Sequence, residues 1–262
     1  MTIRVLERTG YRAPLAVLCR DGVSDAVVAG DLVATAWRRD DPTRSYSGRR
    51  SPVSGILGWG RLPGTGRSTH AVAAPGEDLV FPTPTPIDFC VRVEDTAGRY
   101  LPVIVRTTVP VNAPVAVPLS SAPQRPLRSG MATVRGEVHR DSDDSSLGWA
   151  LVRVDTGAGV FQTVADDHGR FLLQLPYPEA LPPLASPPVG LGAVTWDVTI
   201  SVRSKPSALM RSPGTRPHDP PELGSVTTQA AAQLIDGGPH PTLTAPLAFG
   251  VPLVLALRAV PA

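Results

Sequence analysis

The side chains that could do chemistry in this 262-residue chain are five histidines, two cysteines and a few acidic or glycine-rich strings. Zinc-assisted hydrolysis needs two ligands on one helix face, in H-E-x-x-H or H-x-x-E spacing. None of His70, His139, His168, His218 and His240 has such a partner, so no metal is expected. The string DSDDSS, Asp141 to Ser146, has the acid density that calcium takes. It departs from the calcium loop at two places, with Ser145 where a third Asp or Asn belongs and Ser146 where glycine makes the sharp turn, and reads as a solvated loop. GWGRLPGTGR, Gly58 to Arg67, offers glycines to a phosphate, but its spacing is G-x-G-x-x-x-G and no helix-forming run follows. It reads as strand and turn, and no cofactor is expected. A serine hydrolase would need a G-x-S-x-G elbow, which does not occur. Cys19 and Cys90 read either as separate buried thiols or as one bridge. An enzyme would need an acid, a base and a nucleophile brought together, and no string supplies them.

The elements that would position these residues are strands. Thirty prolines and 24 glycines punctuate a chain that is 42% hydrophobic, and the apolar residues fall in short runs. That is the pattern of an all-β protein with many turns. A net charge of +2 with no basic stripe argues against a nucleic-acid partner. The N-terminal MTIRVLERTGYRAPLAVLC lacks the apolar core of a signal peptide, so a cytoplasmic location is expected. LTAPLAFGVPLVLALRAV, near the other end, is interrupted by two prolines, a glycine and Arg258. It reads as one or two buried strands and gives no direct membrane insertion.

VRVDTGAGVFQTVADDHGRFLLQLPYPE, Val152 to Glu179, is a meander of three strands. Its apolar residues alternate with period two, and DTGAG and DDHG make the turns. The second turn has an echo. VRVEDTAGRYLPV and QTVADDHGRFLLQ share Asp-x-x-Gly-Arg-aromatic-Leu, carried by Asp95, Gly98 and Tyr100 in one copy and Asp166, Gly169 and Phe171 in the other. Both glycines are expected at positive φ. The echo fits a duplicated β-domain, or two hairpins that converged on one turn chemistry.

The organisation that follows is two tandem β-sandwiches with a proline-rich C-terminal extension. An N-terminal sandwich spans 1–117, a linker 118–131, a second sandwich 132–203, and a tail with terminal apolar strands 204–262. The first sandwich takes strands near LAVLC, DLVATAW, GILGWG, DFCVRVED and LPVIVRTTV. The second opens with ATVRGEVHR and closes with TWDVTISVR. In the tail, VTTQAAAQLI suggests one short helix. Leu247, Phe249, Leu253, Leu255 and Leu257 are too apolar to stay in water and are the candidate assembly segment. They need cover from the chain's own sandwich or from a neighbouring subunit.

Two family resemblances accompany these strings. GEVHRDSDDSSLGWALVRVDTGAGVFQTVADDHGRFLLQLP resembles the carboxypeptidase regulatory-like, or transthyretin-like, β-sandwich, which implies architecture and no activity. The hydrolase branch of that family ends in Tyr-Arg-Gly-Ser, whereas this chain ends LRAVPA. SPVSGILGWGRLPG, GRYLPV, SAPQRPLRSGMATVRGEV, LLQLPYPE and LAFGVPLVLAL together resemble small two-domain β proteins among the structural parts of contractile injection systems, the phage-tail-like particles. That resemblance implies a non-enzymatic particle subunit at the cap end, or else in the baseplate. Its partners would be tube, sheath, cap or baseplate proteins, and it would form a ring-like homo-oligomer. The alternative is a glycan- or peptide-binding module, for which the aromatic residues should form an exposed cluster.

Overall fold

A computed structural model of the chain describes residues 8–28, 30–65, 70–75, 77–82, 85–178, 194–216 and 218–262. The first residues of the N-terminal segment, the end of the glycine-rich string and Glu179 lie outside the described residues. The protein is all-β. Its first part contains β1 (Arg8–Tyr11), β2 (Leu15–Asp21), β3 (Leu32–Arg38), β4 (Ser45–Ser47), β5 (Arg49–Arg50), β6 (Leu57–Trp59), β7 (His70–Ala73), β8 (Ile87–Asp95), β9 (Val103–Val109) and β10 (Val115–Leu119). β1 and β7 pair as a separate ribbon, while the sheets β10-β2-β6-β5 and β4-β3-β8-β9 share one core that includes Leu15, Val17, Cys19, Phe89, Val91 and Val117.

The second part contains β11 (Ala132–Arg140), β12 (Leu151–Asp155), β13 (Val160–Val164), β14 (Arg170–Leu175), β15 (Thr195–Arg203), the short helix α1 (Leu223–Thr227), β16 (Gln233–Ile235), β17 (Pro239–His240), β18 (Leu243–Ala248) and β19 (Leu253–Val260). Its sheets are β14-β11-β19-β16-β17 and β13-β12-β15-β18. Val134, Val152, Phe171, Ile200, Leu247 and Leu257 meet between them. Burying such side chains stabilises by about 1.5–3 kcal/mol each, which is what orders this many short strands.

The two sandwiches have one topology. In the first, β2 pairs antiparallel with β6 and parallel with the last strand, β10; in the second, β11 pairs antiparallel with β14 and parallel with the last strand, β19. In the facing sheets, β4-β3-β8-β9 corresponds to β13-β12-β15-β18, strand for strand and in chain order.

Two expectations need correction. The segment Val152 to Glu179 is not a meander within one sheet. β12 and β13 pair, but β14 leaves for the opposite sheet to pair with β11. Period-two alternation makes a strand without naming its partner, and β14, at the edge of its sheet, is buried on both faces with the linker bonded to its Gln174. The short helix lies earlier than VTTQAAAQLI suggests. Gln229, buried, donates to the carbonyls of Trp149 and Val226 and accepts from the Lys205 N–H, and the residues after it extend to pair with β19. Pairing has overridden the helix propensity of the alanines. Of the two covers expected for the apolar tail, the structure shows the chain's own sandwich: residues 204 to 262 supply β16 to β19 to the second sandwich's sheets. Among the described residues no helix is long and apolar enough to cross a membrane.

Candidate functional site

The expected turns form as their chemistry dictates. Asp95 accepts from the backbone N–H of Ala97 and Arg99 and from the Arg99 guanidinium; Asp166 accepts from the backbone N–H of His168 and Arg170 and from the Arg170 guanidinium. Gly98 and Gly169 both have positive φ, 68° and 79°. Burial opposes the Asp95 charge, and the bonds from Arg99 and Ala97 outweigh it, so its pKa falls below the ordinary value. The two strings nevertheless occupy different connections, β8 to β9 in one sandwich and β13 to β14 in the other. The echo is therefore convergent turn chemistry, and the repetition in this molecule lies in the topology.

The candidate assembly segment is covered by its own sandwich. Leu247 and Leu257 are buried in the core, and Leu253 and Leu255 pack against it. Phe249 stands at the end of β18 with its ring 4.8 Å from that of Tyr177, which lies 5.3 Å from Trp196. The DSDDSS loop turns its acids on itself, Asp143 accepting from Ser145 and Asp144 pairing with Arg258. Asp166, Asp167 and His168 bring possible ligand atoms within 4.8 Å of one another, but the Asp166 carboxylate is engaged by the turn and by Arg170. Cys19 and Cys90 are both free and lie in different clusters. Burial pushes the Cys19 thiol up to about 12.

Two buried ionic clusters, neither of them foreseen, join the sandwiches. β2 alternates inward through Leu15, Val17 and Cys19, and the same parity turns Asp21 inward at the strand's end. There Asp21 accepts from the N–H groups of Val23 and Ser24, each at 3.1 Å, from the Tyr100 hydroxyl at 2.8 Å and from both terminal nitrogens of Arg125 at 3.0 Å. Arg125 belongs to the linker and also donates to Ser121 and Tyr100, with its guanidinium 4.3 Å from the Tyr100 ring centroid. Burial opposes the Asp21 charge, yet the bonds from Ser24, Tyr100, Val23 and Arg125 outweigh it and hold the carboxyl at about 2. Burial and the neighbouring Asp21 raise the Tyr100 phenol. Farther along the linker, the Gln174 side chain bonds Pro126 and Arg128 of the backbone, so the linker is tied to both sandwiches.

The second cluster belongs to the tail. After β15 the chain leaves its sandwich, crosses the outer face of the sheet β4-β3-β8-β9 and returns through α1. This strap covers Trp37, Cys90 and Ile104, which point away from the first core. The Trp37 indole N–H donates to the Pro213 carbonyl at 2.9 Å. Glu222, only 3% exposed, accepts from Arg39 at 3.0 Å and from Ser212 at 2.9 Å, and Asp219 meets Arg92 at 2.7 Å. Burial raises the Cys90 thiol, against a smaller opposing contribution from Ser212. Beside the strap, Trp149, Leu151, Val164 and Val226 form an apolar seam with Leu101 and Leu209. The gap left in that seam is about 20 Å³, room for a single water at most.

The sequence did carry a signal for this face. Ala36-Trp37, Phe89-Cys90-Val91 and Val103-Ile104-Val105 are consecutive buried residues, the mark of strands covered on both sides.

No family model matches the chain, and no curated protein matches it. Among solved structures it is similar to the major pilin subunit BcpA of Bacillus cereus, at 9% identity and TM-score 0.25, over 97% of this chain and 57% of that one. It is similar also to the shaft pilin SpaA of Lactobacillus rhamnosus GG, at 9% identity and TM-score 0.24, over 95% of this chain and 98% of the other. A streptococcal ancillary pilin matches at 10% identity and TM-score 0.22, over 99% and 64%. Likenesses this slight carry no inference about what the chain does. The comparisons taken together correct both family resemblances. Neither a carboxypeptidase regulatory-like family nor a contractile injection family is matched, and the structures found are pilin subunits. The short strings that suggested those families fall on strands, turns and the linker, and so carry architecture rather than membership of a family.

Proposed function

We propose that the chain is a non-catalytic structural subunit, a pair of β-sandwiches clamped into one rigid unit. The observation that carries this reading is the use made of buried charge. Asp21 and Arg125 fasten the linker to the first sandwich, and Asp219 and Glu222 fasten the second sandwich's strap to it. Each of these groups is engaged by a protein partner, the arrangement of a joint rather than of a site awaiting substrate. The test has two arms. The purified chain is expected to leave ester, peptide and nucleotide substrates unchanged, and scattering in solution is expected to fit one elongated body with fixed sandwiches. Turnover of any substrate, or scattering that demands freely hinged sandwiches, overturns the reading.

One observation favours a second reading, a glycan- or peptide-binding module. The partly exposed rings of Tyr177, Trp196 and Phe249 stand beside a recess of about 390 Å³ lined by Met131, Phe249 and Val251. Aromatic faces there could stack on a flat ligand. Binding to a glycan or peptide array that is lost in Phe249→Ala supports it, and unchanged binding removes it.

A further inference from the structure

The step from β8 to β9 in the first sandwich takes residues 96–102, whereas the corresponding step from β15 to β18 in the second takes 204–242. The strap is thus an addition to a topology that a short turn can close. Of that connection, residues 204–222 run over the first sandwich before α1 with no strand of their own, and stretches of that kind are uncommon without a function. The strap is one of two fastenings, because the linker also holds the sandwiches through Asp21, Arg125 and Gln174. Both of its ends are fixed to the second sandwich, at Ser204 with Ala230 and at Arg203 with Ala231. Its departure would leave the strand ladders within either sandwich intact, would break the bridge from Ile104 to Glu222 and take Val226 out of the seam against Trp149, and would uncover Trp37, Cys90 and Ile104 beside Arg39 and Arg92.

Resting on the structural-subunit reading above, we propose that this outer face of the first sandwich is an assembly surface for a second copy of the chain, occupied by that copy's strap in place of the chain's own. The occupant follows from complementarity already on the molecule. The face fits one sequence, in which the Pro213 carbonyl meets the Trp37 indole, Asp219 meets Arg92 and Glu222 meets Arg39. Every copy carries that sequence. Exchange of an identical element between copies keeps all of these contacts, and reciprocal exchange closes a dimer. Within one chain the strap competes at high effective concentration, so exchange is expected at high protein concentration or once the chain's own strap is lifted.

Two full-length variants test it. One carries Asp219→Arg with Glu222→Arg, which sets the strap against its own face; the other carries Arg39→Glu with Arg92→Glu, which sets the face against its own strap. Each alone is expected to be monomeric by light scattering, with Cys90 open to a thiol reagent. Mixed in equal amounts, they regain both ion pairs only between copies. A one-to-one complex is expected, with labelling of Cys90 slowed about tenfold or more. A mixture that stays monomeric, with Cys90 still reactive, overturns the proposal. A second measurement covers a failure of these variants to fold. Wild-type chain refolded from denaturant at rising concentration is expected to yield an increasing dimer fraction, and monomer at every concentration overturns the proposal. Such a failure leaves the structural-subunit reading standing, since that reading fails by substrate turnover or by hinged scattering.

Discussion

The Asp-x-x-Gly-Arg-aromatic turn is used twice, and the two uses place different demands on it. At Asp95 it closes a hairpin within one sheet, on the surface next to the linker. A side chain at Gly98 would find only the Gln124 amide, 3.7 Å away. At Asp166 it carries the chain from one sheet to the other through the packed edge of the second sandwich. A Cβ at Gly169 would stand 2.5 Å from the Val138 carbonyl oxygen and 3.4 Å from the Leu147 nitrogen. The aromatics differ in the same sense. Phe171 only fills the core, while Tyr100 also bridges Asp21 and Arg125 with its hydroxyl. Turn chemistry is local and portable; what surrounds the turn decides how much of the fold depends on it.

Substitutions can break or sharpen this contrast. The largest effect is expected from Gly169→Val, which combines a β-branched residue at positive φ with backbone on the far side that cannot yield, and should cost about 4 kcal/mol or more in chemical denaturation. A loss near that of Gly98→Val would remove the contrast. Acid should act next. The Asp21 carboxyl is held at about 2, below the value of about 3.9 for an unfolded chain, and so stabilises the protein by roughly 2 kcal/mol. Because the folded value is the lower one, that contribution is complete above about pH 4 and is lost as pH falls towards 2. Unfolding followed across this window should show the loss in the wild type, and an equal slope in Asp21→Asn would refute the assignment. Tyr100→Phe removes the hydroxyl between Asp21 and Arg125 and should cost about 1–2 kcal/mol at neutral pH, while making the loss on acidification shallower, because the Asp21 carboxyl loses one of the bonds that hold its value down. Its equilibrium stability at neutral pH and its acid midpoint check both parts. The smallest effect should come from Gly98→Ala, about 1 kcal/mol for positive φ in open surroundings.

Strand positions were legible because alternation and turn residues are local properties. ATVRGEVHR and TWDVTISVR read from sequence as strands coincide with β11 and β15. Partners were less legible, because period two says that a strand has an inner face and not which sheet supplies it; β14 is the example. The joint was least legible. Asp21 shares the inward parity of Leu15, Val17 and Cys19, but Arg125, Asp219 and Glu222 are common surface residue types, and nothing near those three in the chain marks them as buried.

By itself the sequence determined an all-β chain and the positive-φ glycines of its two Asp-Gly-Arg turns. Each follows from the stereochemistry of a few adjacent residues. Only the tertiary structure decided that the two sandwiches share a topology, that the apolar C-terminal strands close the second, and that the strap covers the first. Those outcomes rest on contacts between residues far apart in the chain, such as Trp37 with Pro213 and Arg39 with Glu222, whose energies exist only when folding brings both partners out of water together.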